Sequence, residues 1–215
     1  MTKLILVRHG QSLANAENVF AGHSDYDLSE LGHRQAALAA EYLAKRETIH
    51  AIYASDLLRA YHTATPTAER LGLPVIKDTG LREIFGGRWE RMQFPHIAEQ
   101  YPEAFRVWRE DYSHARPVDG EATAEVYARI VPHICGIAKR HEGETVLLAT
   151  HATVVRAFHA FAEGYTKDEA GKIPFSYNAS INIFGYEDGR ASVIQANITE
   201  HLDALVTALP PIINP

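Results

Sequence analysis

Three short stretches of this 215-residue chain carry the side chains best suited to chemistry: Arg8-His9-Gly10, Ser55-Asp56 with Arg59, and Thr150-His151. Arginine beside histidine suits phosphoryl transfer better than acyl transfer. A phosphate monoester is a dianion near neutral pH, and guanidinium forks bind it bidentately with a charge that deprotonation cannot remove. A neutral imidazole attacks phosphorus once its other ring nitrogen is held by a hydrogen-bond acceptor. Fixed cations around the three equatorial oxygens then lower the barrier, and no metal is required. The departing alcohol needs a proton donor. Glu83 in LREIFGGRWE is the candidate, next to two glycines and an aromatic residue that could partly bury it. A plainer reading stands beside this one, in which Glu83 pairs with Arg82 or Arg88 on a loop and Arg8-His9 is a satisfied pair at a strand end.

Each reactive stretch directly follows a short apolar run. Lys3 to Val7 and Thr145 to Ala149 read as buried strands because their apolar residues are continuous, and Ala51 to Ala54 is a third. Val75 to Lys77 is a further short strand. Ser29 to Arg46 reads as a helix capped by Ser29. A second helix runs from Asp56 toward Leu71 and is stopped by Gly72 and Pro74. Glu121 to Arg140 and Val154 to Ala162 are the other long helices, and Ser180 to Tyr186 with Ala191 to Ala196 flank EDG as a hairpin. This alternation implies an α/β three-layer sandwich with a mostly parallel central sheet flanked by helices. One domain is expected over residues 1–215. Its aromatic and arginine-rich stretch, about 84–116, is expected to form short helices or a lid insertion in which a substrate alcohol would sit. In parallel sheets ligands gather outside the carboxyl ends of the strands, where the two histidines and two arginines converge.

Composition narrows the function classes. With 21 basic and 27 acidic residues the net charge is −6, so the chain has no long-range attraction for nucleic acid or an anionic membrane. An anionic ligand must be drawn in by local cations. The single cysteine, Cys135, sits in an apolar helical context and is expected to be a buried inert thiol. The N-terminal apolar run is too short for a signal peptide and no stretch matches a membrane span, so the expected location is cytoplasmic. The 12 histidines raise a metal-dependent hydrolase as one alternative, but no ligand spacing such as HExxH is present. The expectation is no metal and no cofactor. Arg88, Arg91, Arg106 and Arg109 either select a second negative group or solvate helix faces, the latter for at least half of them. Trp89 and Trp108 are expected to be packing residues.

The run ILVRHGQSLANAENVFAGHSDYDLSELGHRQA resembles the opening signature of the histidine phosphatase superfamily, the family of phosphoglycerate mutases and histidine acid phosphatases. YASDLLRAYHTA resembles its second signature, LREIFGGRWE its third and LLATHATVVRAF its fourth, in the family's order. The resemblance implies that His9 is the nucleophile forming a phosphohistidine, that Arg8, Arg59 and His151 cradle the phosphoryl oxygens, and that Asn15 contacts the phosphate. Gly22 of the first signature joins these substrate-binding residues, and Glu83 acts first as general acid, then as base for water. Ala152 and Thr153 stand where the family often has two glycines, Arg91 where a glycine is usual, and Ala122 where a serine is familiar; these bear on the substrate rather than on the chemistry. EIFGG replaces the E-R-H-Y-G of the mutases, so the implied activity is hydrolysis of a small phosphorylated metabolite. A cofactor-dependent mutase and a non-catalytic phospho-ligand module remain the alternatives, and a homodimer is left open.

Overall fold

Apolar runs supply the central strands. β1 (Thr2–Arg8) is followed by a one-turn helix α1 (Leu13–Ala16), then α2 (Glu30–Arg46), β2 (Ala51–Ala54), α3 (Leu58–Leu71) and β3 (Val75–Lys77). The aromatic stretch contributes α4 (Phe94–Gln100) and α5 (Pro102–Glu110), and the second half adds α6 (Thr123–Arg140), β4 (Thr145–Thr150) and α7 (Ala152–Ala162). β5 (Ile181–Glu187) and β6 (Arg190–Ile198) close the fold as the expected hairpin. The computed structural model describes residues 1–207; the C-terminal LPPIINP segment, which sequence patterning leaves unassigned, lies outside the described residues. No described helix is long and apolar enough to cross a membrane.

The six strands form one sheet in the order β3-β2-β4-β1-β5-β6. The first four run parallel, and β5 alone runs against them, pairing antiparallel with both β1 and β6, so the sheet is mostly parallel. Side-chain alternation splits the core into two layers. Leu4, Leu6, Val146 and Leu148 pack with α6, α7 and the aromatic segment, whereas Ile5, Val7, Leu147 and Ala149 pack with α2 and α3. β1 and β4 are therefore covered on both faces, which is why they read as continuous apolar runs. Both deliver their last residues, Arg8 and Thr150, to the same edge.

Helix starts differ from the sequence expectation by two residues in three places. α3 begins at Leu58 because Asp56 accepts two bonds from Arg82, at 2.7 and 2.5 Å. α6 begins at Thr123 because the Glu121 carboxylate is engaged by Arg129 and by the Phe85 amide. α7 begins earlier, at Ala152, with His151 as its N-cap residue. Patterning does not reveal α1 at all, since four residues carry no period; a reciprocal Ser12/Asn15 capping box holds it. Cys135 is half-buried rather than buried, and burial raises its thiol pKa, which keeps it unreactive.

Two glycines let the loop after β1 lie flat on the start of α2. A Cβ at Gly10 would stand 2.6 Å from the Gly32 carbonyl oxygen, and one at Gly32 would collide with the Gln11 carbonyl. Gln35 on α2 completes the seam by accepting from the Gln11 amide at 2.8 Å. This close approach holds His9, the residue before that loop, at a defined height above the sheet edge.

Candidate active site

β1 and β4 end side by side, and this adjacency brings His9 and His151 together. The His9 amide donates to the Thr150 carbonyl at 2.9 Å, and the two imidazole rings meet edge to face with centroids 5.2 Å apart. His9 Nδ1 lies 2.7 Å from the Gly10 carbonyl oxygen. A carbonyl can only accept, so Nδ1 carries the proton and Nε2 presents a lone pair. Burial, reinforced by Arg59 and Arg8, holds the His9 pKa well below 6.5, so the ring is neutral and nucleophilic at pH 7. His151 is fully buried, and burial with Arg59 nearby also lowers its pKa well below 6.5.

Two arginines supply the positive charge. Arg8 donates to the Ser176 carbonyl at 2.5 Å, and Arg59, reaching from the first turn of α3, donates to the Ser24 and Gly22 carbonyls at 3.0 and 2.7 Å. Each is almost wholly buried, and burial lowers each pKa to about 10, which leaves both charged at neutral pH. Neither is paired with a carboxylate by direct contact. Among the described residues, Arg8 Nε, Arg59 Nε and both His151 ring nitrogens are buried without a hydrogen-bond partner. Unsatisfied buried polar groups cost about 1–3 kcal/mol apiece, so the two guanidinium Nε donors, both on residues that line one cleft, mark a place built for a guest with acceptor oxygens.

Glu83 faces this cluster across the cleft, and neither of its proposed surface partners is available. Arg82 pairs with Asp56 and Arg88 with Asp119. The Glu83 carboxylate instead accepts from the Ile84 amide at 2.9 Å and, at 3.5 Å, from the Thr153 amide in the first turn of α7. Its backbone carbonyl is held by His23 Nε2 at 2.8 Å and Arg129 Nη2 at 3.0 Å. Asn15 lies on the same wall: its Oδ1 accepts from the Ser12 amide and from Asn178 Nδ2, which leaves its own NH2 group free to donate. Gly22 adopts φ +51°, and a Cβ there would stand 2.6 Å from Glu90 Oε1. The glycine is needed because the Glu90 carboxylate braces this loop from beneath, accepting from the His23 and Gly86 amides and the Ser24 hydroxyl.

Of the residues expected to form the site, Arg8, His9, Asn15, Gly22, Arg59 and Glu83 all line one cleft. His151 is fully buried and touches His9 edge to face without itself lining the cleft. The four arginines considered for a second anion do not reach the cleft either. Arg88 and Arg106 are tied to exposed carboxylates, and Arg91 and Arg109 are exposed. Trp89 is a packing residue, in edge contact with Phe20, Phe105 and Trp108, whereas Trp108 both packs and lines the cleft. Among the described residues no group of acidic, histidine or cysteine side chains is placed to hold a metal ion.

A family model described as histidine phosphatase superfamily (branch 1) matches residues 4–199. The chain belongs to the histidine phosphatase superfamily. It is 38% identical over 202 residues to phosphoserine phosphatase 1 of Hydrogenobacter thermophilus, covering 94% of this chain and 95% of that protein. It is 32% identical over 207 residues to the metal-independent phosphoserine phosphatase of Arabidopsis thaliana, covering 95% and 85%. The mycobacterial glucosyl-3-phosphoglycerate phosphatase Rv2419c complexed with VO3 superposes with a TM-score of 0.85 at 33% identity, over 92% of this chain and 99% of that one.

Several parts of this histidine phosphatase site escaped sequence reasoning. Asn178 donates to both the His9 carbonyl and Asn15 Oδ1, at 3.1 Å each. A signal for it existed: β5 runs antiparallel to β1, so the residues just before that strand lie at the active edge. Glu90, His23 and Arg129 brace the loops through contacts 46 to 67 residues away in sequence, and no local pattern announces them.

The neutral buried histidines have a consequence for stability. Below pH 6.5 the unfolded chain binds protons at positions 9 and 151 that the folded chain refuses, so stability falls as pH drops through that range; well above it neither state is protonated there and the contribution is flat. Each imidazole adds a slope of up to about 1.4 kcal/mol per pH unit, and His159 and His201 act in the same direction. The urea midpoint is expected to be level near pH 8, to fall below pH 6.5, and to fall less steeply in His151→Gln. An unchanged slope in that variant would mean that His151 is not the buried neutral group described here.

Proposed function

We propose that this chain is a cytosolic, metal-independent phosphomonoesterase that hydrolyses small phosphorylated metabolites through a phosphohistidine on His9. The observation that carries the reading is His9 itself: a neutral imidazole whose Nδ1 is held by a carbonyl, flanked by two buried arginines and faced by Glu83. In the first step His9 Nε2 bonds to phosphorus, the P–O bond to the alcohol breaks, and the Glu83 carboxyl gives its proton to the leaving oxygen. In the second, the Glu83 carboxylate takes a proton from water, the water oxygen bonds to phosphorus, and the N–P bond breaks to release phosphate. Arg8, Arg59 and the Asn15 amide hold the phosphoryl oxygens through both steps. His151 supports them from beside the nucleophile. Residues 1–215 act as one catalytic domain, with the 84–116 stretch serving as its lid. A mutase would need further cations to hold an acceptor acid, and among the described residues the cleft lining offers Arg8 and Arg59 alone, which favours water as the acceptor.

Phosphate release from an alkyl phosphomonoester is expected to be undiminished in excess EDTA. Loss of activity on chelation, restored by a divalent metal, would refute the metal-independent reading.

A further inference from the structure

The cleft has two chemically distinct ends. Beyond the arginines and Glu83 its lining includes the buried apolar residues Val19, Phe20, Ile84, Phe94, Trp108 and Phe175, beside uncharged polar side chains such as Gln11, Asn18 and Asn178. Arg8 and Arg59 are the only cations among the lining residues, and both lie at the phosphoryl end. A further cation, Arg156, lines a neighbouring depression and not this cleft, and Arg129 is held by the Glu121 carboxylate. The Arg156 guanidinium is stacked over the Tyr112 and Phe175 rings, 3.9 and 4.4 Å from their centroids, and donates to the Gly171 carbonyl at 2.6 Å. A carboxylate on the substrate alcohol would thus lose water against aromatic walls with no opposite charge to receive it. An apolar chain or ring there would be desolvated favourably. Apart from the arginine Nε atoms, the buried unpartnered polar atoms on the cleft wall are Trp108 Nε1 and Asn18 Oδ1, one donor and one acceptor, both uncharged.

We infer that the alcohol portion of the substrate is uncharged and predominantly apolar, with at most a polar group that accepts from Trp108 Nε1 or donates to Asn18 Oδ1. This deepens the phosphomonoesterase reading and rests on it. It also separates this chain from relatives whose names specify phosphoserine or glucosyl-3-phosphoglycerate, both of which carry a carboxylate.

The test compares kcat/KM for 2-phenylethyl phosphate with that for phosphoserine and 3-phosphoglycerate. All three are alkyl esters, so none benefits from an acidic leaving group. The aromatic ester is expected to exceed the other two by about 10-fold or more, mainly through KM. Equal or better turnover of either carboxylate-bearing ester overturns the inference while leaving the hydrolase intact. Absence of phosphate release from every ester, p-nitrophenyl phosphate included, removes the hydrolase reading and this one with it. The partly exposed Ala21 on the cleft wall provides a converse test. Ala21→Arg is expected to raise phosphoserine turnover relative to 2-phenylethyl phosphate by about 10-fold, and an unchanged ratio counts against an uncharged alcohol site.

Discussion

His9→Ala is expected to reduce turnover of every phosphomonoester by about 10³-fold or more and to abolish phosphoryl labelling of the protein. The wild-type chain, mixed with a radiolabelled ester and quenched with alkali, should retain a label that is stable to base and lost in acid, as a phosphorus–nitrogen bond is. The size of the effect follows from the geometry. The Gly10 carbonyl fixes the proton on Nδ1, burial beside two arginines keeps the ring neutral, and no other imidazole and no thiol lines the cleft among the described residues. His9 is buried, so the variant's thermal midpoint must be measured alongside, with His9→Asn as a less disruptive replacement. A folded His9 variant that still takes up the label would place the nucleophile elsewhere.

Glu83→Gln should separate substrates by leaving group. For alkyl esters, whose alkoxide cannot depart without a proton, a loss of about 10²–10⁴-fold is expected. For p-nitrophenyl phosphate, whose phenolate leaves unaided, the loss should be under about 10-fold. Glutamine keeps the volume and one acceptor oxygen for the Ile84 or Thr153 amide, while His23 and Arg129 still hold the backbone carbonyl. The fold of the loop is therefore preserved and the difference between substrates reports proton transfer. Equal losses on both esters would assign Glu83 a positioning role instead.

The strands and the residues that follow them were legible because a doubly covered parallel strand must be apolar throughout and must end where the cover ends. Leu4 to Val7 and Val146 to Ala149 obey that rule, so Arg8, His9 and His151 could be placed at one edge before any coordinates. The long helices were equally readable, from Ser29 as a cap and Gly72 as a stop. Their first residues were not, because Asp56 and Glu121 are drawn into contacts with Arg82 and Arg129 that have no local signature. The four arginines of the aromatic stretch illustrate the opposite problem. Their types left an anion site open beside solvated helix faces, and only their surroundings reveal surface charges tied down by neighbouring carboxylates or left exposed.

The order of residues alone thus determined the chemistry on offer: an imidazole, two guanidiniums, a second imidazole and a carboxyl, each at the end of an apolar run or in a glycine-rich turn. Which state those groups adopt was decided by tertiary structure. Burial and neighbouring positive charge neutralise His9 and His151, and the Gly10 carbonyl selects the tautomer. Packing of Phe20, Trp108 and Phe175 around the far end of the cleft, with Arg156 shut behind the last of them, decides what kind of alcohol is admitted. Side-chain type is local and written in the chain. Desolvation and electrostatic pairing depend on groups brought together from more than a hundred residues apart, and they exist only once the sheet has formed.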